Sequence, residues 1–330
     1  MAKPIRVAVT GASGQVSYAL LPRLAAGAMF GHDQPVVLQL FDVRSQIEKV
    51  RGVVMELEDL ALPLLVDVIV SDDRSVAFRQ ADWALLVGSK PRGPGMERKD
   101  LIRDNGPIFV ADGEAISAVA APEVRIVVVG NPCNTNCLIA MHNAPRVPRD
   151  RWSAMTRLDQ NRAHSVLARK AGVNVAEVRR LVIWGNHSST LFPDFENATV
   201  TGRPAETVIQ DRTWLQGEFI QSVQQRGAAV IQARGASSAF SAAHAIIDHV
   251  RSLRQPTAPG DWFSAAVASD GSYGVPEDLV SSFPLRSAGQ SDYRIQQDAH
   301  LDDFGREKLR ATVAEMEEER AVVASLLRGG

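Results

Sequence analysis

Val7-Ala8-Val9-Thr10-Gly11-Ala12-Ser13-Gly14-Gln15-Val16-Ser17 carries an apolar, β-branched run into a glycine turn and then into a helix-forming sequence. A parallel α/β sheet needs that order at the carboxyl end of its first strand. Gly11 permits the tight turn. Gly14 lets the backbone approach a pyrophosphate, whose charge then rests on the N-terminus of the next helix. Ser17 stands where the usual fingerprint has its last glycine, so the turn alone is a weak signal. Gly11, Ala12, Ser13, Gly14, Gln15, Val16 and Ser17 form the candidate phosphate-binding segment.

Outward from this turn, short apolar runs alternate with helix-like stretches. Buried strands are expected at Val7 to Thr10, Val36 to Phe41, Val66 to Val70, Trp83 to Val87 and Arg125 to Val129. Gln15 to Ala26 and Gln46 to Leu57 carry apolar residues at helical spacing. After about Arg151 the texture changes to a helix over Leu158 to Ala171 and a short strand over Leu181 to Trp184. A hairpin or small antiparallel sheet follows within Asp194 to Thr201, then long helices at about Ala205 to Ala233 and Ser237 to Leu253. A strand pair around Phe263 to Ser269 and a charged helix over Asp302 to Leu327 close the chain. The expected fold is α/β, a doubly wound parallel sheet of the Rossmann type followed by a mixed α+β substrate-binding domain. Residues 1–153 are expected to form the dinucleotide-binding domain and 154–330 the substrate domain.

Composition narrows the function. The 330 residues hold 36 Lys and Arg against 38 Asp and Glu, a formal net charge of -2. No basic field is available for nucleic acid or an anionic membrane, so an anionic ligand must be held by local arginines. The opening segment is too short and interrupted for a signal peptide or a spanning helix, which makes a cytoplasmic location the expectation. Cys133 and Cys137 read as buried, reduced thiols, and two cysteines alone make no metal site.

Asp42 ends the second strand, 28 residues after Gly14, where a carboxylate accepts hydrogen bonds from ribose hydroxyls and repels a 2′-phosphate. That favours NAD over NADP, with Arg44 two residues on as a partial offset. The fifth strand ends in Val129-Gly130-Asn131-Pro132, where Gly130 allows close approach and Asn131 offers an amide. Three further clusters bear on chemistry. Lys90-Pro91-Arg92-Gly93-Pro94-Gly95-Met96-Glu97-Arg98 is a loop whose glycines suit a moving lid with two arginines. Thr156-Arg157-Leu158-Asp159-Gln160-Asn161-Arg162 puts Asp159 and Arg162 on one helix face, a spacing an ordinary surface ion pair shares. In Trp184-Gly185-Asn186-His187-Ser188 a histidine follows a strand and a glycine.

In combination these segments resemble the malate dehydrogenase family, in the branch shared by cytosolic and many bacterial enzymes. Val54-Met55-Glu56-Leu57-Glu58-Asp59, Gly130-Asn131-Pro132 and Ser269-Asp270-Gly271-Ser272-Tyr273-Gly274 extend the match over nearly the whole chain. The resemblance implies His187 as the acid/base and Asp159 as the group that orients and charges it. It implies Arg162 on the C1 carboxylate, Arg92 and Arg98 on the substrate, and Asn131 against substrate and nicotinamide. It also implies NAD as cofactor, malate or oxaloacetate as substrate, a place in the tricarboxylic acid cycle and a homodimer. The dimer contacts would involve segments near Val53 to Leu60 and Arg157 to Ala171. Arg92 sets the chain apart from lactate dehydrogenases, whose corresponding loop position lacks the arginine.

Asn105 and Asp112 correspond to cofactor-contacting positions, but glutamine and lysine are usual where Asp112 and Glu114 stand. A carboxylate at Asp112 would alter charge and hydrogen bonding there. His244 replaces a more usual asparagine and reads as a packing or helix-surface residue. In the last helix, Arg306, Lys308 and Arg310 followed by Glu315, Glu317, Glu318 and Glu319 read as solvation and intrahelical pairing. The competing readings are an NADP-linked enzyme, a dehydrogenase of another 2-keto acid, and a nucleotide-binding protein without catalysis.

Overall fold

The computed structural model describes residues 2–90 and 97–327. Two compact units emerge. The first takes the chain as far as Ala154, together with Ala239–Arg251 and the described chain from Glu319 onward. The second takes Met155–Ser238 and Ser252–Glu318.

The first unit is built from β1 (Ile5–Thr10), α1 (Gln15–Ala25), β2 (Val36–Phe41), α2 (Ile47–Asp59), β3 (Leu65–Ser71), α3 (Arg74–Ala77), β4 (Trp83–Leu86), α4 (Arg98–Val119), β5 (Arg125–Val128), α5 (Cys133–His142) and β6 (Trp152–Ala154). Its strands run parallel in the order β3-β2-β1-β4-β5-β6. Every residue of β2 and β4 is buried, as expected of strands covered on both faces. The order reverses between β1 and β4, and in such sheets ligands bind at that reversal, off the carboxyl ends. The strand β6, only three residues long, was not anticipated from the sequence.

Later segments complete this unit's packing. Leu326 occupies the space beside Gly106, and its carbonyl accepts from Asn143 Nδ2 at 2.8 Å. His249, fully buried, pairs through Nε2 with Ser153 Oγ on β6 at 2.9 Å.

The second unit starts with α6 (Arg157–Ala171), which ends on the left-handed Gly172. A small sheet follows, β7 (Val178–Arg179), β10 (Thr199–Val200) and β11 (Arg203–Pro204), beside the hairpin of β8 (Val182–Trp184) and β9 (Phe192–Asp194). The expected long helix over Ala205 to Ala233 is broken into α7 (Ala205–Ile209), α8 (Arg212–Trp214), a π segment at Leu215–Phe219, α9 (Ile220–Gln224) and α10 (Arg226–Arg234). Gln210 in left-handed backbone and the Asp211 cap on the Trp214 amide supply the first break. After α11 (Phe240–Arg254), which belongs to the first unit as far as Arg251, come the antiparallel strands β12 (Phe263–Ala268), β13 (Val280–Arg286) and β14 (Arg294–Ile295), then α12 (Asp303–Val322), which belongs to the second unit as far as Glu318. Among the described residues no helix is long and apolar enough to cross a membrane.

Gly113 is where α4 meets α5 most closely, since a Cβ there would stand 2.3 Å from the Ala140 carbonyl oxygen. Backbone cannot retreat as a flexible side chain does, so Gly113→Ala is expected to destabilise the fold by about 1–3 kcal/mol. Thermal unfolding should show a melting temperature lower by several degrees, and an unchanged value would mean that the two helices separate freely.

Candidate active site

At the carboxyl edge of the first unit's sheet, the ends of β1, β4 and β5 are brought together by glycines. Gly11 has φ +64°, and a Cβ on it would lie 2.5 Å from Gly88 Cα. Gly88 in turn donates its N–H to Thr10 Oγ1 at 3.0 Å. A Cβ on Gly130 would meet Ser89 Cβ at 2.9 Å and Gly88 O at 3.0 Å. The floor beneath the sheet's switch point is therefore bare backbone.

The glycine turn is pinned to the end of β2. Ala12 N–H donates to Phe41 O at 3.2 Å and Ser13 N–H to Asp42 Oδ2 at 2.9 Å, while Asp42 Oδ1 accepts from Val43 N–H at 2.8 Å. Asp42 thus shapes the turn besides standing at the strand end. Gly14 caps α1 with extended backbone and no side chain, which leaves the first-turn amides of Gln15, Val16 and Ser17 without a capping acceptor. Ser17 is fully buried and its Oγ has no partner among the described residues. Val129 and Gly130 both donate to Leu86 O, and Asn131 beyond them is exposed. These features fit a pyrophosphate on a helix N-terminus with a flat group above bare backbone.

Two of the expected cofactor contacts also have partners within the chain. Asn105 is fully buried, and its amide is engaged by the chain: Oδ1 accepts from Lys90 N–H at 2.8 Å, and Nδ2 donates to Leu101 O at 3.0 Å. It braces the segment after β4. Asp112 is buried on α4 and receives Arg74 Nε at 2.6 Å, with the Arg74 guanidinium lying over the Phe41 ring at 4.7 Å. The charge change noted in the sequence is met by Arg74. Burial pushes the Asp112 carboxyl up to about 6, with Arg74 pulling the other way.

Because that value lies above the unfolded one, the folded chain keeps the proton longer as pH rises. Stability from this group is therefore lost between about pH 4 and pH 6. Asp112→Asn still accepts from Arg74, and it is expected to remove that decline and raise the melting temperature at neutral pH. Thermal unfolding across this range checks it; an unchanged profile would mean that Asp112 ionises at its ordinary value.

The second unit holds the other cluster. His187 Nδ1 stands 2.5 Å from Asp159 Oδ2, and Arg162 Nη1 lies 3.3 Å from Asp159 Oδ1. Arg162 Nη2 also donates to Ser238 Oγ at 3.2 Å. The Asp159 side chain is 1% exposed, that of His187 20%. Burial pulls the Arg162 guanidinium below its ordinary value, while Asp159 works against the shift.

The sequence positions this cluster through three elements. Gly185, φ +82°, exchanges backbone hydrogen bonds with Ser282 on β13, and a Cβ there would meet Thr312 Cγ2 at 2.1 Å. Ser282 Oγ lies 2.7 Å from the Oγ1 of Thr156, the residue that opens α6, so one strand residue ties α6 to the His187 segment. From α12, Thr312 Oγ1 accepts from Asn186 N–H at 2.9 Å. Glu315 Oε2 accepts from Asn186 Nδ2 at 3.1 Å, from Thr190 Oγ1 at 2.6 Å, and from Ser188 Oγ.

Arg98 opens α4, and its Nε lies 2.5 Å from Glu319 Oε1. Arg92, in Pro91-Arg92-Gly93-Pro94-Gly95-Met96, falls outside the described residues, and so does the lid reading. His244 sits on the surface of α11 between Arg23 and Asp248, as a helix-surface residue should. Cys133 and Cys137 are buried thiols joined in no disulfide, and burial pushes Cys137 far up.

Glu315, Thr312 and Glu319 escaped the sequence reading. The signal was present in the phase of α12: Thr312, Met316, Glu319 and Val323 recur at helical spacing on its buried side, while Glu317 and Glu318 face outward.

Residues 5–152 match the lactate/malate dehydrogenase NAD binding domain, and residues 156–326 match the alpha/beta C-terminal domain of the same description. The chain is 54% identical over 329 residues to the malate dehydrogenase of Magnetococcus marinus, covering 100% of both. Among solved structures, the malate dehydrogenase of Naegleria fowleri superposes with a TM-score of 0.96 at 43% identity, over 99% of this chain and 100% of that one. A Trichomonas vaginalis lactate dehydrogenase in complex with NADH and oxamate gives 0.94 at 34% identity, over 98% and 99%.

Proposed function

Since the chain belongs to the lactate/malate dehydrogenase family, we propose that it is an NAD-dependent L-malate dehydrogenase, interconverting malate and NAD+ with oxaloacetate and NADH. The observation that carries this reading is the His187, Asp159 and Arg162 cluster, in which one buried carboxylate holds both the imidazole and the guanidinium.

NAD, when bound, supplies the hydride acceptor. Gly11 to Ser17 would hold its pyrophosphate, Asp42 its ribose hydroxyls, and Val129, Gly130 and Asn131 the nicotinamide end. The chain's own work is to bind, orient and move a proton. Hydride cannot pass between carbons unless the C2 oxygen also gains or loses a proton, and histidine is the side chain whose reference pKa lies nearest neutral. With Nδ1 fixed on Asp159, Nε2 is the atom that exchanges it. Oxaloacetate reduction starts from charged His187, malate oxidation from neutral His187.

Arg162 grips the C1 carboxylate with parallel hydrogen bonds. A charge count then separates the candidate substrates. With His187 charged, the cluster carries two cations and one anion, which matches one carboxylate. A second buried carboxylate needs one further net positive charge; Glu319 already balances Arg98, so Arg92 supplies the charge and Arg98 a hydrogen-bond donor. That favours a four-carbon dicarboxylate over pyruvate, in line with 54% and 43% identity to the Magnetococcus marinus and Naegleria fowleri malate dehydrogenases against 34% to the Trichomonas vaginalis lactate dehydrogenase.

The same reading makes residues 1–153 the dinucleotide-binding domain and 154–330 the substrate domain. It places the enzyme in the cytoplasm and the tricarboxylic acid cycle, and pairs it as a homodimer. Met55 and Leu60, exposed on or just beyond α2, support a partner at that segment. Sedimentation showing a fully active monomer at assay concentration would remove the dimer.

The deciding assay follows NADH absorbance with oxaloacetate or pyruvate, each with NADH and NADPH. Fast oxidation confined to oxaloacetate with NADH is expected. Preference for NADPH would overturn the Asp42 argument, and preference for pyruvate the Arg92 argument. No turnover in any arm would leave a nucleotide-binding protein. His187→Ala should lower kcat by roughly 10²–10⁴-fold while NADH still binds by fluorescence titration. Arg92→Gln should cut oxaloacetate reduction by on the order of 10²-fold and pyruvate reduction far less; equal losses would show that Arg92 does not read the second carboxylate.

A further inference from the structure

Arg98 occupies an unfavourable place. It is the first residue of a 22-residue helix, where the positive end of the helix dipole repels a cation. A carboxylate from the other end of the sequence compensates. Glu319, buried on the last turns of α12, sets Oε1 2.5 Å from Arg98 Nε, and its Oε2 accepts from Thr135 Oγ1 near the start of α5.

Both Glu319 oxygens are thereby held, and one edge of the guanidinium is fixed. The other edge is not satisfied. Arg98 Nη2 is buried and has no acceptor among the described residues. An orphaned buried donor costs free energy, and so does a buried ion pair relative to apolar packing of similar volume. An arrangement that keeps both is accounted for if an acceptor arrives with the ligand.

We propose that Glu319 is a positioning residue: it anchors the Nε edge of Arg98, itself steadied by Thr135, so that Nη2 is held ready for an oxygen of the dicarboxylate substrate. The proposal rests on the reading of Arg98 as a substrate-binding residue, and it adds an orienting group that this reading lacks. Binding by a loose arginine would have to fix several side-chain torsions at once; Glu319 fixes them beforehand.

The test is a double-mutant cycle on the full-length protein. Arg98→Gln, Glu319→Gln and their combination are compared by kcat and KM for oxaloacetate with NADH, and NADH titration confirms that each variant is folded. Glu319→Gln is expected to raise the KM for oxaloacetate about 10-fold or more, with the KM for NADH unchanged, and to cost less than about 2-fold further in the Arg98→Gln background. Equal losses in both backgrounds, or no loss in either, overturn the positioning role. If Arg98→Gln alone leaves oxaloacetate reduction intact, the substrate role of Arg98 fails and the proposal with it, a result distinct from the first two. Should Glu319→Gln not fold, Thr135→Val carries the same cycle: it frees Oε2 but keeps the ion pair, and a smaller rise in the same KM, absent in the Arg98→Gln background, is expected. A Thr135→Val loss that persists in that background overturns the proposal.

Discussion

Asp159 is almost completely removed from water, and a carboxylate in that position needs charge or strong donors close at hand. It finds them on opposite sides, His187 at one oxygen and Arg162 at the other. Withdrawing either partner leaves one carboxylate oxygen in the interior without that donor, so the carboxylate fixes the orientation of both. The scaffold around it serves the same end. Ser282 ties the start of α6 to the His187 segment, and Thr312 and Glu315 secure that segment from α12. The precision of the cluster is thus supplied by neighbours that need never meet a ligand.

Much of the parallel half of the fold was legible because β1, β2, β4 and β5 are short, largely buried apolar runs, three of which lead to a glycine, whereas β3 is half exposed and carries Asp67. Val36–Phe41 could be bounded to the residue. What stayed hidden did so for local physical reasons. Trp152–Ala154 is too short to show alternation, and Val280–Arg286 carries Pro284 among serines, a composition that argues against a strand. In the second unit, side chains stand in for sheet hydrogen bonds: Ile183 N–H donates to Ser264 Oγ and Ser264 N–H to Gln160 Oε1. No periodicity reports such substitutions.

The site shows the same division. His187, Asp159 and Arg162 were found from sequence, and the geometry gathers them. Asn105 and Asp112 carry internal links that no spacing announced, Asn105 to the segment after β4 and Asp112 to Arg74. The acidic run ending in Glu319 looked like a solvated face because charge counts ignore helical phase. Once α12 is wound, Glu319 turns inward beside Met316 and Thr312, while its neighbours Glu317 and Glu318 remain outside.

The first unit is not contiguous in sequence, and this bears on its birth at the ribosome. Its parallel strands all lie before Met155, yet the groove at Gly106 is filled by Leu326, whose carbonyl also takes a hydrogen bond from the buried Asn143 amide. The buried Ser153 hydroxyl likewise waits for the ring of His249. Nascent chain that already holds every parallel strand would therefore leave the space at Gly106 unfilled and polar groups incompletely paired until His249 and Leu326 have been added. The strands of the first unit are thus made long before the residues that complete its packing.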